Sequence, residues 1–287
     1  MKKRAKSSPK AGATLLSRVA EALDRLAPPA LPQTLPENGN AFVWEPHIGA
    51  LTEVAHVASI ELPLLKAIEN QRDTLIANTR RFADGLPANN ALLWGVRGTG
   101  KSSMVKAVFM AEVREHPSLR MVEVDRDHVA ALPDLFHRLR PYAEKFVVLC
   151  DDLSFEDGAA AAKSLKSALE GGVEGPPDNV LFVATSNRRH LMPRGHDETH
   201  GLIAAQEDAE EQVSVSDRFG LWLGFPPMDQ PAYLDAIDHY ADRFGLMVPD
   251  LHVRALQWSQ LRGGRSGRVA WQFIRDLAGE LGKTLPF

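Results

Sequence analysis

The stretch LLWGVRGTGKSS, residues 92–103, decides how the rest of the chain is read. Gly95, Gly100, Lys101 and Ser102 fit the pattern G-x-x-x-x-G-K-S/T without deviation. An apolar run, ALLW, precedes it, and a helical pattern with Met104, Val105, Val108 and Phe109 on one side follows it. Glycines in such a turn let backbone N–H groups point inward around a phosphate, and the helix N-terminus adds a favourable partial charge. On this reading Gly95, Val96, Arg97, Gly98, Thr99, Gly100, Lys101, Ser102 and Ser103 form a phosphate cradle. Lys101 reaches the β- and γ-phosphates of a nucleotide, and Ser102 is a Mg²⁺ ligand. The competing reading is a glycine-rich turn with an exposed lysine. The strand before and the helix after argue against it.

Further apolar runs, separated by helical patterns, lie on the C-terminal side. They are RMVEVD (120–125), FVVLCDD (146–152), VLFVATSN (180–187) and LWLGF (221–225). With ALLWG (91–95) they make five strands. Short continuous apolar strands alternating with helices predict a parallel sheet covered on both faces. Upstream, Leu65, Ile68, Leu75 and Phe82 predict a helix from about Leu64 to Phe82, stopped by Gly85. From Asp229 onward only helical patterns occur: one capped by Asp229, one over about Asp250–Leu261, and one beginning near Ser266. The expected organisation is residues 1–40 as a basic tail, short helix and Pro-rich linker, 41–227 as an α/β nucleotide-binding domain, and 228–287 as a small helical domain.

A phosphate loop needs a metal-binding carboxylate nearby. In a parallel sheet the end of FVVLCDD lies on the same edge as Gly95, where ligands bind. Asp151 is the expected metal-site residue, acting largely through water on Mg²⁺. Asp152 and Glu156 are both candidates for orienting the attacking water, and the sequence leaves the choice open. Asn187 ends another strand where a polar group would hold that water or the γ-phosphate; the alternative is a turn-forming asparagine. Arg218, in SDRFG, is suited to stabilising charge on a transferring phosphate from the same chain or a neighbour. Ser266 as a helix cap puts Arg268 in a first turn, where a cation opposes the helix dipole and a bound anion would relieve the conflict. Arg265 lies before the cap and is less constrained.

Composition narrows the classes. The 287 residues carry 33 Lys and Arg against 37 Asp and Glu, a formal net charge of -4, so there is no global bias towards nucleic acid or anionic membrane. No run of 18 apolar residues predicts a membrane span, and Arg18 and Glu21 interrupt any signal-peptide core. The single cysteine, Cys150, excludes an intrachain disulfide and fits a reducing, cytoplasmic setting. It reads as a small buried hydrophobe. His190, His196 and His200 lack accompanying cysteines and read as a solvated loop, and Arg188 and Arg189 as surface charge.

The ordered set of phosphate loop, CDD, ATSN, DRFG, helical domain and SGR resembles the AAA+ ATPases. The fit is closer still to a bacterial branch known as an AAA+ ATPase-like domain of unknown function. In that branch stretches like NTRRFADGLPANNALLWGVRGTGKSS, CDDLSFE, LKSALEGG, ATSNRRHL, SDRFGLWL and SGRVAWQFI recur together. The likeness covers roughly residues 45–280. It implies a P-loop NTPase fold, with a five-stranded parallel sheet between helices and a C-terminal all-helical lid. It also implies ATP between the two, Walker A at Gly95–Ser102 and Walker B ending at Asp151. Asn187 matches the first sensor, Arg268 the second, and Arg218 the arginine that enters a neighbouring subunit's site. Leu65 and Ile68 fall where the family's adenine pocket begins. One departure stands out: Walker B ends Asp151-Asp152 instead of Asp-Glu, which puts the base in doubt and permits slow hydrolysis.

These readings predict an ATPase that uses ATP and Mg²⁺, assembles as a homo-oligomer through a ring or a nucleotide-dependent contact, and acts on a protein or nucleic-acid client. An ATP-dependent binding switch with little turnover is the alternative that the Asp-Asp pair motivates. A small-molecule kinase is a third reading, against which the ATSN, DRFG and SGR series speaks.

Overall fold

Alternation along each central strand explains the layering. Leu92 faces one side of the sheet while Ala91 and Leu93 face the other. Phe146, Val148 and Cys150 join the first side, Val147 and Leu149 the second. Both faces are apolar, so the strands read as unbroken hydrophobic runs and must be covered twice.

The computed structural model describes residues 39–153, 159–171, 175–187 and 218–285. Its strands are β1 (Ala41–Glu45), β2 (Ala50–Glu53), β3 (Ala91–Gly95), β4 (Leu119–Val124), β5 (Lys145–Cys150), β6 (Val180–Ser186) and β7 (Leu221–Phe225). Its helices are α1 (Glu69–Ala83), α2 (Lys101–Glu115), α3 (Leu132–Leu139), α4 (Ala159–Glu170), α5 (Gln230–Phe244), α6 (Leu251–Leu261) and α7 (Gly267–Glu280). The strands form one sheet in the order β2-β1-β4-β5-β6-β3-β7. Every neighbouring pair is parallel except β1 and β2.

All five expected strands are present. The sheet is wider by the hairpin β1–β2, whose outer strand is half polar and carries no continuous apolar run. Helix α1 starts at Glu69, later than the sequence predicts. Leu62–Leu64 instead forms a 3₁₀ turn, and Ala67 has φ +61°, which breaks a helix before it can run through Ile68. Helices α1 and α2 cover one face of the sheet and α3 and α4 the other. Arg80 of α1 pins α2 through two hydrogen bonds to the buried carboxylate of Glu112, at 2.9 and 3.1 Å.

The three C-terminal helices pack around their own core of Tyr233, Ile237, Phe273, Ile274 and Leu277. Asp229 caps α5 by accepting from Ala232 N at 2.9 Å, and Ser266 caps α7 by accepting from Val269 N at 3.2 Å. Both satisfy N–H groups that a helix start otherwise leaves unpaired. Leu64 of the 3₁₀ turn enters this helical core while Leu65 enters the sheet core, so one short segment ties the two together. Glu61 and Arg243 add an ion pair at 2.7 Å across the same junction, and the Arg243 hydrogen bond holds the Glu61 carboxyl below its usual range. The expected N-terminal helix, the three histidines, Arg188 and Arg189 lie outside the described residues.

Candidate functional site

At the C-terminal edge of the sheet, β6 lies between β3 and β5. The loop after β3, the Asp151-Asp152 turn after β5 and Asn187 after β6 therefore meet side by side. The loop needs its glycines. Gly95, Gly98 and Gly100 have φ of +147°, +82° and +94°, a region disfavoured for residues with a Cβ. At Gly95 an added Cβ would also sit 2.2 Å from the Phe225 carbonyl oxygen of β7.

Lys101 opens α2 and is buried to 6% exposure. Its Nζ donates to Gly95 O at 2.9 Å, Val96 O at 3.0 Å and Asn187 Oδ1 at 3.1 Å. Burial lowers its pKa from the ordinary lysine value, and Asp151 and Asp152 oppose that shift. Ser102 Oγ bonds to Asp151 Oδ1. Thr185 Oγ1 donates to the same oxygen at 2.5 Å. Asp152, at φ +56°, receives a bond from Asn187 Nδ2 on Oδ1 and contacts from Arg97 and Arg126, each at 3.4 Å, on Oδ2.

Lys101, Ser102, Asp151, Asp152, Thr185, Asn187 and Arg97 line a cavity of about 640 Å³. One wall is formed by Arg97, Gly98, Gly100, Lys101, Ser102 and Ser103 of the glycine-rich loop and α2, and another by Asp151, Asp152, Thr185 and Asn187 at the strand ends. Arg268 and Gly267 of α7 close it from the helical unit. Leu65 lines it together with Ala58, Ser59 and Ile60. Tyr240 and Trp271 complete that end, their rings 5.4 Å apart. The cavity thus has a charged end and an apolar, aromatic end, the polarity of a nucleotide with its phosphates and base.

Four further expected site residues, Gly95, Val96, Thr99 and Ile68, sit beside the cavity without lining it. Gly95 and Val96 supply carbonyls to Lys101, and Thr99 Oγ1 donates to Val96 O at 2.8 Å. Ile68 is buried behind the loop; a Cβ on Gly100 would come within 3.3 Å of its Cδ1. Arg218 pairs with Glu170 at the end of α4, away from the cavity of its own chain. Glu156 lies outside the described residues.

Sequence reading missed Thr185, Arg126, Tyr240, Trp271 and the segment 58–60. Trp271 follows Arg268 by three residues on one helix, so it shares that face, and this signal was available. Tyr240 and the segment 58–60 come together only through packing. The donor set suits a hard divalent cation: the Ser102 hydroxyl and the Asp151 carboxylate are adjacent oxygen groups facing the phosphate loop. Among the described residues no cluster of three or more His, Cys, Asp or Glu offers another metal site, and no helix is long and apolar enough to cross a membrane.

The chain is an α/β protein with a mainly parallel sheet, a glycine-rich loop at the C-terminal edge of that sheet and a helical unit packed beside it. The solved structure of the Aeropyrum pernix Orc1 protein in complex with DNA is similar, with TM-score 0.56 and 19% identity over 76% of this chain and 60% of that one. A single-residue variant of Thermotoga maritima RuvB has TM-score 0.53 and 16% identity, over 78% of this chain and 66% of that one. At such identities the likeness is one of fold, and the chain spans only about three fifths to two thirds of either relative. The chain belongs to the DUF815 family, a protein family of unknown function, whose model matches residues 37–281. No curated protein matches it in sequence.

Proposed function

We propose that this protein binds ATP with Mg²⁺ in the cleft between the sheet edge and the helical unit and hydrolyses it to ADP and phosphate. Hydrolysis then alters the grip between the two and remodels or loads a macromolecular partner. One observation carries the reading: Lys101, the Ser102–Asp151 pair and the Asn187–Asp152 pair converge on one cavity that Arg268 closes from the opposite side.

In this mechanism the loop amides hold the phosphates and Lys101 turns from the loop carbonyls to the β- and γ-phosphate oxygens. Ser102 and Asp151 would hold the Mg²⁺, which would screen phosphate charge and polarise the γ-phosphoryl group. Asn187 and Asp152 position a water in line with the γ-phosphorus. The new P–O bond forms as the bond to the ADP oxygen breaks, and Asp152 takes the water's proton, with Glu156 the alternative base. Arg97 and Arg268 offset the phosphate charge. In a homo-oligomer, Arg218 of one copy completes the site of the next. Leu65 and Ile68 place the base, with Leu65 on the cavity wall and Ile68 behind the loop.

Phosphate release from ATP that needs Mg²⁺ and disappears in Lys101→Ala is the expected result. Turnover that survives Lys101→Ala would place any hydrolysis elsewhere. A second reading, the binding switch, is favoured by one observation: Asp152 is a methylene shorter than glutamate and its carboxylate is already shared among Asn187, Arg97 and Arg126. Tight ATP binding with turnover no faster than in Asp152→Asn would select the switch. The same variant, loaded with ATP, is the bait for identifying the partner, protein or nucleic acid.

A further inference from the structure

We infer that Thr185 is a positioning residue that sets both acidic side chains of the site through a directed hydrogen-bond relay. The inference rests on the Mg²⁺–ATP reading of this cavity. Three facts build it. Thr185 is 1% exposed, on the central strand β6. Its Oγ1 accepts from the main-chain N–H of Asp152 at 3.0 Å. The same Oγ1 lies 2.5 Å from Asp151 Oδ1.

The direction of each bond is forced. A main-chain nitrogen can only donate, so the Thr185 oxygen accepts from Asp152 and its own proton must go to the Asp151 carboxylate. Asp151 Oδ1 also takes the Ser102 hydroxyl bond. With its proton committed to Asp151, the Ser102 oxygen turns its lone pairs away from the carboxylate, as a metal ligand requires. Thr185 O also accepts from Leu153 N at 2.7 Å. The turn carrying Asp152 at φ +56° is therefore gripped on both sides by one residue.

Strand parity explains why a threonine is there. The β5–β6 register pairs Cys150 with Ala184, so the next step sets Asp151 beside Thr185. Leu181 and Val183 of β6, and Val147 and Leu149 of β5, face the core under α2. Thr185 and Asp151 continue that parity and so face the α2 residue Ser102. A hydroxyl at this point serves a partly buried carboxylate oxygen and a turn N–H at once; an apolar residue would leave the N–H without its acceptor and the carboxylate oxygen with the Ser102 bond but not the Thr185 one.

Thr185→Val keeps the shape and removes the hydroxyl, and Thr185→Ser restores it. Binding of a fluorescent ATP analogue is titrated with EDTA and then over a Mg²⁺ series, with melting temperature as a check on folding. Partners behind a metal ligand typically matter by about 10–100-fold. Thr185→Val is therefore expected to raise the half-saturating Mg²⁺ concentration about tenfold, to leave analogue binding in EDTA unchanged, and Thr185→Ser to recover the wild-type value. An unchanged Mg²⁺ dependence in Thr185→Val overturns the relay. So does an equal loss of binding with and without Mg²⁺, since that is what a purely structural role would give. Should wild-type protein bind no nucleotide at all, the ATP reading falls first and this inference with it, an outcome distinct from either.

Discussion

The main-chain N–H of Arg268 donates to the carbonyl of Gly98 at 3.2 Å, joining the first turn of α7 directly to the glycine-rich loop after β3. The bond follows from helix physics. The first N–H groups of α7 have no partner inside the helix. Ser266 Oγ satisfies that of Val269, and the loop satisfies that of Arg268. Any opening of the helical unit must break this bond, and any ligand that rearranges the loop must disturb it.

Gly98→Ala tests that junction. At φ +82° alanine is strained, and its Cβ would lie 2.9 Å from Ser266 Oγ. The expected outcome is a stability loss of roughly 1–2 kcal/mol, with weaker nucleotide binding. Urea unfolding and nucleotide titration read the two effects separately.

Lys101 makes a prediction with a defined pH sign. Its folded-state pKa is lowered from 10.5, chiefly by burial. Between the lowered value and 10.5 the unfolded chain holds more protons than the folded one, so stability rises with pH across that window. Below it, the cost of a buried charge is fully present. Compared with Lys101→Met, the wild type should therefore gain stability as pH climbs towards 10.5. Chemical denaturation of both proteins along a pH series measures this, and Lys101→Met should also lose any rise in melting temperature produced by ATP.

Arg218 separates a monomeric from an assembled site. Within the chain it pairs with Glu170, and it does not line its own cavity. If a neighbouring copy uses it, turnover per chain should rise with protein concentration, and Arg218→Ala should lower it by about tenfold or more with nucleotide affinity intact. Concentration-independent turnover unchanged in the variant would exclude a shared site.

Cys150 reports on the integrity of the sheet. It is fully buried at the end of β5, and burial with the adjacent Asp151 pushes its thiol up to about 12. Since thiolate is the reactive form, native protein should resist alkylation at about pH 8 and label only on unfolding. The unfolded thiol ionises near 9.0 while the folded one stays neutral until about 12, so this group lowers stability as pH rises between those values. Mass spectrometry of alkylated protein along a denaturant series gives the readout.

The sequence by itself determined the glycine-rich loop between a strand and a helix, the five central strands, the capped helices α5 and α7 and the placement of Asp151 and Asn187 at one edge. Each is a local signal: glycine spacing, a short apolar run, or a cap before a helix. A parallel sheet then puts strand ends together without further information. Tertiary structure decided the rest. Thr185 gained its role from the register of two strands and a turn at positive φ. Tyr240 and Trp271 met because α5 and α7 pack together, and the segment 58–60 reached the cavity through an irregular path with no period to read. In the hairpin β1–β2 the apolar run AFVW of β1 was legible, whereas its half-polar partner β2 carries no strand signal of its own. Periodicity reports which face of an element is buried; which elements then share a wall depends on packing between residues distant in the chain.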